Sequence, residues 1–241
     1  MTKDIRKVKS KQTIIEQLYK QLLIYRPAAA EVEKVLLKKF TMLDPLYAGD
    51  PDNFDIVGTR ILWHQTVIDH VNIDGHWMEF GVRSGDSIRW LLDKRPKQII
   101  HGFDSWEGLP EEWKTGGKNY PAGSMAVPVP VFEDNVQLHQ GWFDRTLEPW
   151  KMDNTATVAY LHIDSDLYSS AVYVLNTLND RIVPGTLIVL DELCNFRLSG
   201  KMSNWPLHEW RALCEWLELH NRRIEPVARS CMYQAAVRVI E

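Results

Sequence analysis

Residues 76–104 read HWMEFGVRSGDSIRWLLDKRPKQIIHGFD. Three predictions come from this stretch. His76–Val82 is a mostly apolar run with one acidic residue, and it reads as a strand buried on both faces. Asp86–Lys94 has helical spacing and follows a turn containing Gly81 and Gly85. Gln98–Asp104 is a second apolar run, and it ends on a carboxylate. Strand, turn, helix and strand within 29 residues are one βαβ unit, whose two strands run parallel.

The same rhythm continues along the chain. Asn135–Gly141, Val158–Asp164 and Thr186–Asp191 read as further strands, with helices near Arg145–Lys151 and over Ser169–Arg181. In Pro206–Asn221, residues Leu207, Trp210, Cys214 and Leu217 mark an amphipathic helix. Ile224–Ala228 and Met232–Ile240 are close enough in sequence to form a hairpin. Alternating strands and helices predict an α/β fold with a doubly wound, mostly parallel sheet. Residues 1–50 differ: Ile14, Leu18, Leu22 and Ile24 share helical spacing, and a second helical stretch, Ala28–Phe40, follows Pro27. The chain is therefore divided into a helical N-terminal extension, 1–50, and a domain over 51–241. The extension serves as a cap on the core or as an arm between copies in a homo-oligomer. Trp106–Val131, rich in Gly and Pro, is too long for an ordinary connection and is expected to form a substrate lid or a structural wrap.

Composition narrows the function. The 241 residues carry 28 Lys and Arg against 32 Asp and Glu, a net charge of −4, which lacks the basic footprint of a nucleic-acid binder. The longest stretch free of those four residue types is the 14 residues between Lys118 and Glu133, too short to cross a membrane. The N-terminus has no apolar signal-peptide core, and Cys194, Cys214 and Cys231 form no paired framework or metal motif, so a reducing cytoplasm is expected. A small-molecule partner remains.

Ligands of open parallel sheets bind beyond the carboxyl ends of the strands. Those ends are polar throughout: Glu79 with Gly81, Arg83 and Gly85; Asp104 with Ser105; Asp164 with Asp166; Asp191 with Glu192. The first turn has Arg83 where the dinucleotide fingerprint G-x-G-x-x-G needs glycine, which disfavours a nicotinamide-dependent oxidoreductase. Asp104 stands where an acidic residue grips ribose hydroxyls, so an adenosine-containing ligand without a pyrophosphate fits. The structural alternative makes the glycines a tight turn and Asp104 a cap. Asp164, Asp166, Asp191 and Glu192 converge on neighbouring strands, where like charges need a cation or proton among them; hard oxygen ligands suit Mg²⁺. Alternatively, one caps a helix and another pairs with Arg181 or Arg197. The histidines show no metal-ligand spacing, and His162 is expected to face away from Asp164. Trp63, Trp90, Trp210 and Trp216 are expected in the core.

The ordered segments EFGVRSGDS, GFDSWEGLPEEW, GWFDRTL, YLHIDSDLYSS and PGTLIVLDEL resemble class I S-adenosylmethionine-dependent methyltransferases, and within them the macrocin O-methyltransferase (TylF-like) group. The resemblance spans roughly residues 55–240. It implies a seven-stranded sheet whose last strand is antiparallel, and O-methylation of a sugar or small natural-product hydroxyl. It further implies that Glu79, Gly81, Arg83 and Gly85 face the cofactor's methionine end, Asp104 and Ser105 its ribose, and Trp142 its adenine. Asp164, Asp191 and Glu192 would hold Mg²⁺, with Asp166 as the base. The family's usual Asp-Asp pair is Asp191-Glu192 here, one methylene longer. Two other functions share these features: a metal-dependent hydroxylase of the related cephalosporin hydroxylase type, and a non-catalytic S-adenosylmethionine-binding protein.

Overall fold

The strand that begins the opening segment, β2 (His76–Phe80), lies near the middle of the sheet, and the chain winds outward from it on both sides. A computed structural model describes residues 38–42, 56–115, 117–133, 135–195 and 204–241. The helices expected before residue 38 lie outside the described residues. A two-residue strand, β1 (Thr41–Met42), precedes α1 (Ile56–Val67) and β2. There follow α2 (Asp86–Lys94), β3 (Ile100–Asp104), a small hairpin of β4 (Trp113–Thr115) and β5 (Lys118–Tyr120), and β6 (Val136–Gln140). The second half runs α3 (Phe143–Asp153), β7 (Val158–Ile163), α4 (Tyr168–Thr177), β8 (Ile182–Leu190), α5 (Glu209–Leu219), β9 (Ile224–Arg229) and β10 (Ala235–Val239).

The main sheet has the order β1-β9-β10-β8-β7-β2-β3-β6. Pairing is parallel except for β10, which runs antiparallel to both β8 and β9. This is the expected doubly wound fold with an antiparallel last strand; β1 adds an eighth, two-residue edge to the seven. Alternate residues of each buried strand go to opposite faces. Met78, Phe80, Leu161, Ile163, Ile188 and Leu190 pack with α3, α4 and α5. Trp77, Tyr160, Leu187 and Val189 pack on the other face with Trp63 and Val67 of α1 and Ile88 and Leu91 of α2. Trp63, Trp210 and Trp216 are core residues, as expected, whereas Trp90 is only half-buried.

Several strand ends shift from the sequence reading, β8 beginning at Ile182 in place of Thr186, and two helix boundaries differ as well. The helix expected to reach Arg181 ends at Thr177. There Asn179 leaves the helix to accept hydrogen bonds from Trp216 Nε1 (3.1 Å) and Arg222 Nε (3.0 Å), which fixes a turn. The helix expected from Pro206 is a 3₁₀ turn, Trp205–Leu207, then α5 from Glu209; His208 (φ −109°, ψ −120°) separates them.

At the β3–β6 end, His101 Nδ1 accepts a hydrogen bond from Trp150 Nε1 (3.2 Å) and lies 3.2 Å from His139 Nε2. Burial, then the neighbouring His139, pushes His101 down from 6.5 to about 4. The unfolded chain therefore takes up this proton first as pH falls, so stability present above pH 6.5 is lost toward pH 4. Urea midpoints measured across that window should fall with pH, and the slope should be shallower in His101→Leu. An unchanged slope would contradict the assignment.

Candidate active site

The carboxyl ends of β2, β3, β7 and β8 open onto a cavity of about 260 Å³. Of the residues singled out by sequence, Gly81, Arg83, Asp104, Ser105, Trp142, Asp164, Asp166, Asp191 and Glu192 line it. Glu79 and Gly85 do not. Glu79 is fully buried beneath the cavity, accepting a bond from Ser87 Oγ at 2.6 Å, and a Cβ on Gly85 would meet the ring of Phe132.

The backbone around the cavity is bent. Arg83, Trp106 and Asp166 have φ values of 50°, 58° and 60°, each just past the end of a strand. Left-handed conformations in non-glycine residues cost of order 1–3 kcal/mol and persist where the surroundings impose them. Asp104 imposes two of the three: its Oδ2 accepts the Arg83 amide and its Oδ1 the Trp106 amide, both at 2.7 Å. It thus caps both turns, as the structural alternative has it, and also lines the cavity. Gly81 (φ 92°) is required by close approach, since a Cβ there would lie 1.8 Å from the Asp164 carbonyl oxygen.

The carboxylates separate into two layers. Asp164, Asp166 and Glu192 each place an oxygen within 4.8 Å of the others at the cavity floor. Burial, then the charge of Asp191, pushes Asp164 well above the usual range and Asp166 up to about 7. Burial, then Asp166, raises Glu192, whose buried Oε2 has no hydrogen-bond partner. Three mutually repelling carboxylates and an orphaned oxygen fit a hard divalent cation. Asp191, expected with them, has its Oδ2 bonded to Arg60 Nη2 and Gln234 Nε2, both at 3.2 Å. Burial opposes its charge, but Arg60 and His162 outweigh this and hold Asp191 far below the usual carboxylate range.

His162 does not face away from the site. It lies under the cavity, with Nδ1 2.9 Å from Glu79 Oε2 and Nε2 3.7 Å from Asp191 Oδ1. Burial lowers it, but Asp191 and Glu79 prevail and push it up to about 10 when no other cation is there. His162 and Asp164 are two residues apart in an extended strand, a spacing that places both on one face. Sequence reading also passed over Arg60 and His64 on α1, and Glu209 on α5, whose Oε2 accepts the Glu192 amide at 2.9 Å. Nothing local marks these three; they become neighbours only when helices cross the sheet.

The long loop supplies the outer wall. Gly108, Leu109, Pro110, Trp113 and Met125 line the cavity. Trp113 stacks on Tyr120 across the β4–β5 hairpin, with ring centroids 5.2 Å apart. The loop is pinned at its neck by paired bonds between Leu109 and the Gly123–Ser124 backbone, each 2.9 Å.

This arrangement, a parallel sheet with a glycine turn after its first central strand and an acidic residue at the end of the next, resembles the fold of class I methyltransferases. Residues 78–193 match the family model described as a methyltransferase domain. A curated relative is the 8-demethyl-8-(2,3-dimethoxy-alpha-L-rhamnosyl)-tetracenomycin-C 4′-O-methyltransferase of Streptomyces olivaceus. It is 27% identical over an alignment covering 50% of this chain and 53% of the relative. The chain thus spans about half the length of that relative. Among solved structures, the calicheamicin methyltransferase CalS11 superimposes with a TM-score of 0.61 at 22% identity, covering 95% of this chain and 92% of the other. The O-methyltransferase NovP gives 0.54 at 20% identity, covering 76% and 80%. Both share the fold.

Gly81→Ala tests the turn. With its Cβ placed against a backbone carbonyl and φ at 92°, the variant should lose at least about 2 kcal/mol in urea unfolding. A loss below about 0.5 kcal/mol would show that the turn is not held as described.

Proposed function

We propose that the protein transfers a methyl group from S-adenosylmethionine to a hydroxyl of a sugar or small natural-product acceptor. The observation that carries the reading is the juxtaposition, in one cavity, of Asp104 with the Asp164–Asp166–Glu192 cluster. The relative's name, a methyltransferase of a rhamnosyl 4′-hydroxyl, supports the acceptor class.

The adenosyl half of the donor sits over the turns that Asp104 organises. That carboxylate would hold the ribose hydroxyls, with Ser105 beside them and Trp142 against the adenine. Asp104 therefore both shapes the site and binds in it. The donor supplies an electrophilic methyl group, and the protein's task is to aim and deprotonate the acceptor oxygen; good orientation lowers such barriers by roughly 7–11 kcal/mol. Asp164 and Glu192 would hold a Mg²⁺ ion. A bound divalent cation lowers the pKa of a hydroxyl coordinated to it.

Asp166 accepts the hydroxyl proton. It reaches into the same cluster from the strained turn after β7. Arg60 and Gln234 keep Asp191 ionised behind the cluster, so its charge stays directed at Asp164 and Asp166. Trp113 and Met125, from the long loop, form an apolar wall where a sugar ring stacks. The reaction belongs in the cytoplasm, where donor and sugar-bearing acceptors are made. The N-terminal extension is assigned to covering the site or joining two copies.

In Asp166→Asn, kcat should fall about 10²–10⁴-fold with S-adenosylhomocysteine affinity unchanged. Chelation should lower turnover of the native enzyme, and Mg²⁺ should restore it. Full turnover in Asp166→Asn would remove the base assignment, and insensitivity to chelator would remove the cation from the reaction.

A further inference from the structure

The acidic residues at the carboxyl edge of the sheet are held in place by different means. The Asp164 amide donates to the Phe80 carbonyl of β2 at 2.9 Å, and the Asp191 amide to the Ile163 carbonyl of β7 at 3.0 Å. Both are set by the sheet. Glu192 lies one residue beyond Asp191, past the end of β8 at Leu190. Its amide is taken instead by a side chain, Glu209 Oε2, at 2.9 Å. Glu209 is the first residue of α5, 17 positions along the chain, and it is fully buried.

That contact does little for stability. A hydrogen bond to a charged group contributes about 1.5–3 kcal/mol, and a buried polar atom left unpaired costs about 1–3 kcal/mol. The other oxygen of Glu209, Oε1, is buried and has no hydrogen-bond partner among the described residues. The charges of Asp191, Asp164 and Asp166 also act on this carboxyl group, all of the same sign. Bond and penalties offset one another at best, so the reason for a buried carboxyl group lies in what the bond fixes.

What it fixes is the origin of the Glu192 side chain. Glu192 shares the cavity floor with Asp164 and Asp166, their oxygens within 4.8 Å of one another. Glutamate has one more methylene than aspartate and so one more rotatable bond to restrain. Its carboxylate reaches a defined point only from a defined backbone position. The anchor for that position is firm: Trp210, Leu213 and Trp216 seat α5 in the core.

We infer that Glu209 is a positioning residue, which holds the Glu192 amide from α5 and thereby sets the longer carboxylate into the cation site of the cavity floor. The inference rests on the cation part of the proposed function and adds to it a residue outside the cavity lining. Removing a group that orients a metal ligand typically weakens metal binding 10–100-fold.

The test is Mn²⁺ binding to the full chain after chelator treatment and dialysis, counted from the electron paramagnetic resonance signal of free Mn²⁺; Mn²⁺ shares the preference of Mg²⁺ for oxygen ligands. The native protein should bind one Mn²⁺, and Asp164→Asn should lose it. Glu209→Gln keeps an oxygen acceptor for the amide and should bind Mn²⁺ as the native protein does. Glu209→Met fills similar space without an acceptor and should bind about 10–100-fold more weakly. Its urea midpoint and its affinity for S-adenosylhomocysteine should stay near native. Native-like Mn²⁺ affinity in Glu209→Met would overturn the inference alone. An equal loss in Glu209→Gln would overturn it as well, assigning the effect to charge in place of position. A Glu209→Met protein that does not fold would make Glu209 a structural brace, against the inference. No Mn²⁺ on the native protein would remove the cation from the proposed function, and this inference with it.

Discussion

The repulsion among carboxylates at one end of a parallel sheet is the constraint around which this protein is arranged. Parallel strands place their carboxyl ends together, and here β2, β3, β7 and β8 each bring acidic residues to that edge or just beyond it. Burying such charges is costly unless each is answered. Asp104 is answered by two backbone amides, Asp191 by Arg60 and Gln234, Glu79 by Ser87 and His162. Asp164, Asp166 and Glu192, which line the cavity together with Asp104 and Asp191, are not answered in this way.

The same constraint explains the strain. Asp104 draws the Arg83 and Trp106 amides inward, and Gly81 lets the first turn pass against the Asp164 carbonyl. Local backbone cost is accepted to bring the turns after β2, β3 and β7 over one small volume. In the proposed reading an adenosyl ligand would use those turns for its sugar and tail, and an acceptor the space between them and the long loop.

Much of this was legible in the sequence because it is local. Continuous apolar runs gave the buried parallel strands, and the acidic residues in or just after four of those runs located the cleft without any contact information. Asp86–Lys94 matches α2 at both ends, since a glycine turn precedes it and Arg95-Pro96 follows. What was not legible depends on elements distant in sequence. Arg60 meets Asp191 across 131 residues, and Gln234 meets it across 43. No period or motif on α1 announces that its polar side chains pass under the sheet edge. Glu79 reads as a cleft residue by position, but its face of β2 points down to His162, so it supports the cleft from beneath. Helix ends set by tertiary bonds, such as the turn at Asn179, were missed for the same reason.

The central claim, that this cavity is built for an adenosyl methyl donor, is tested most directly by thermal unfolding with S-adenosylhomocysteine beside NAD. A ligand at 100 times its dissociation constant adds about 2.7 kcal/mol, and each kcal/mol moves a domain of this size by roughly 2–4 °C. The account predicts a rise of about 5–10 °C with S-adenosylhomocysteine and none with NAD. A rise with NAD and none with S-adenosylhomocysteine would contradict it.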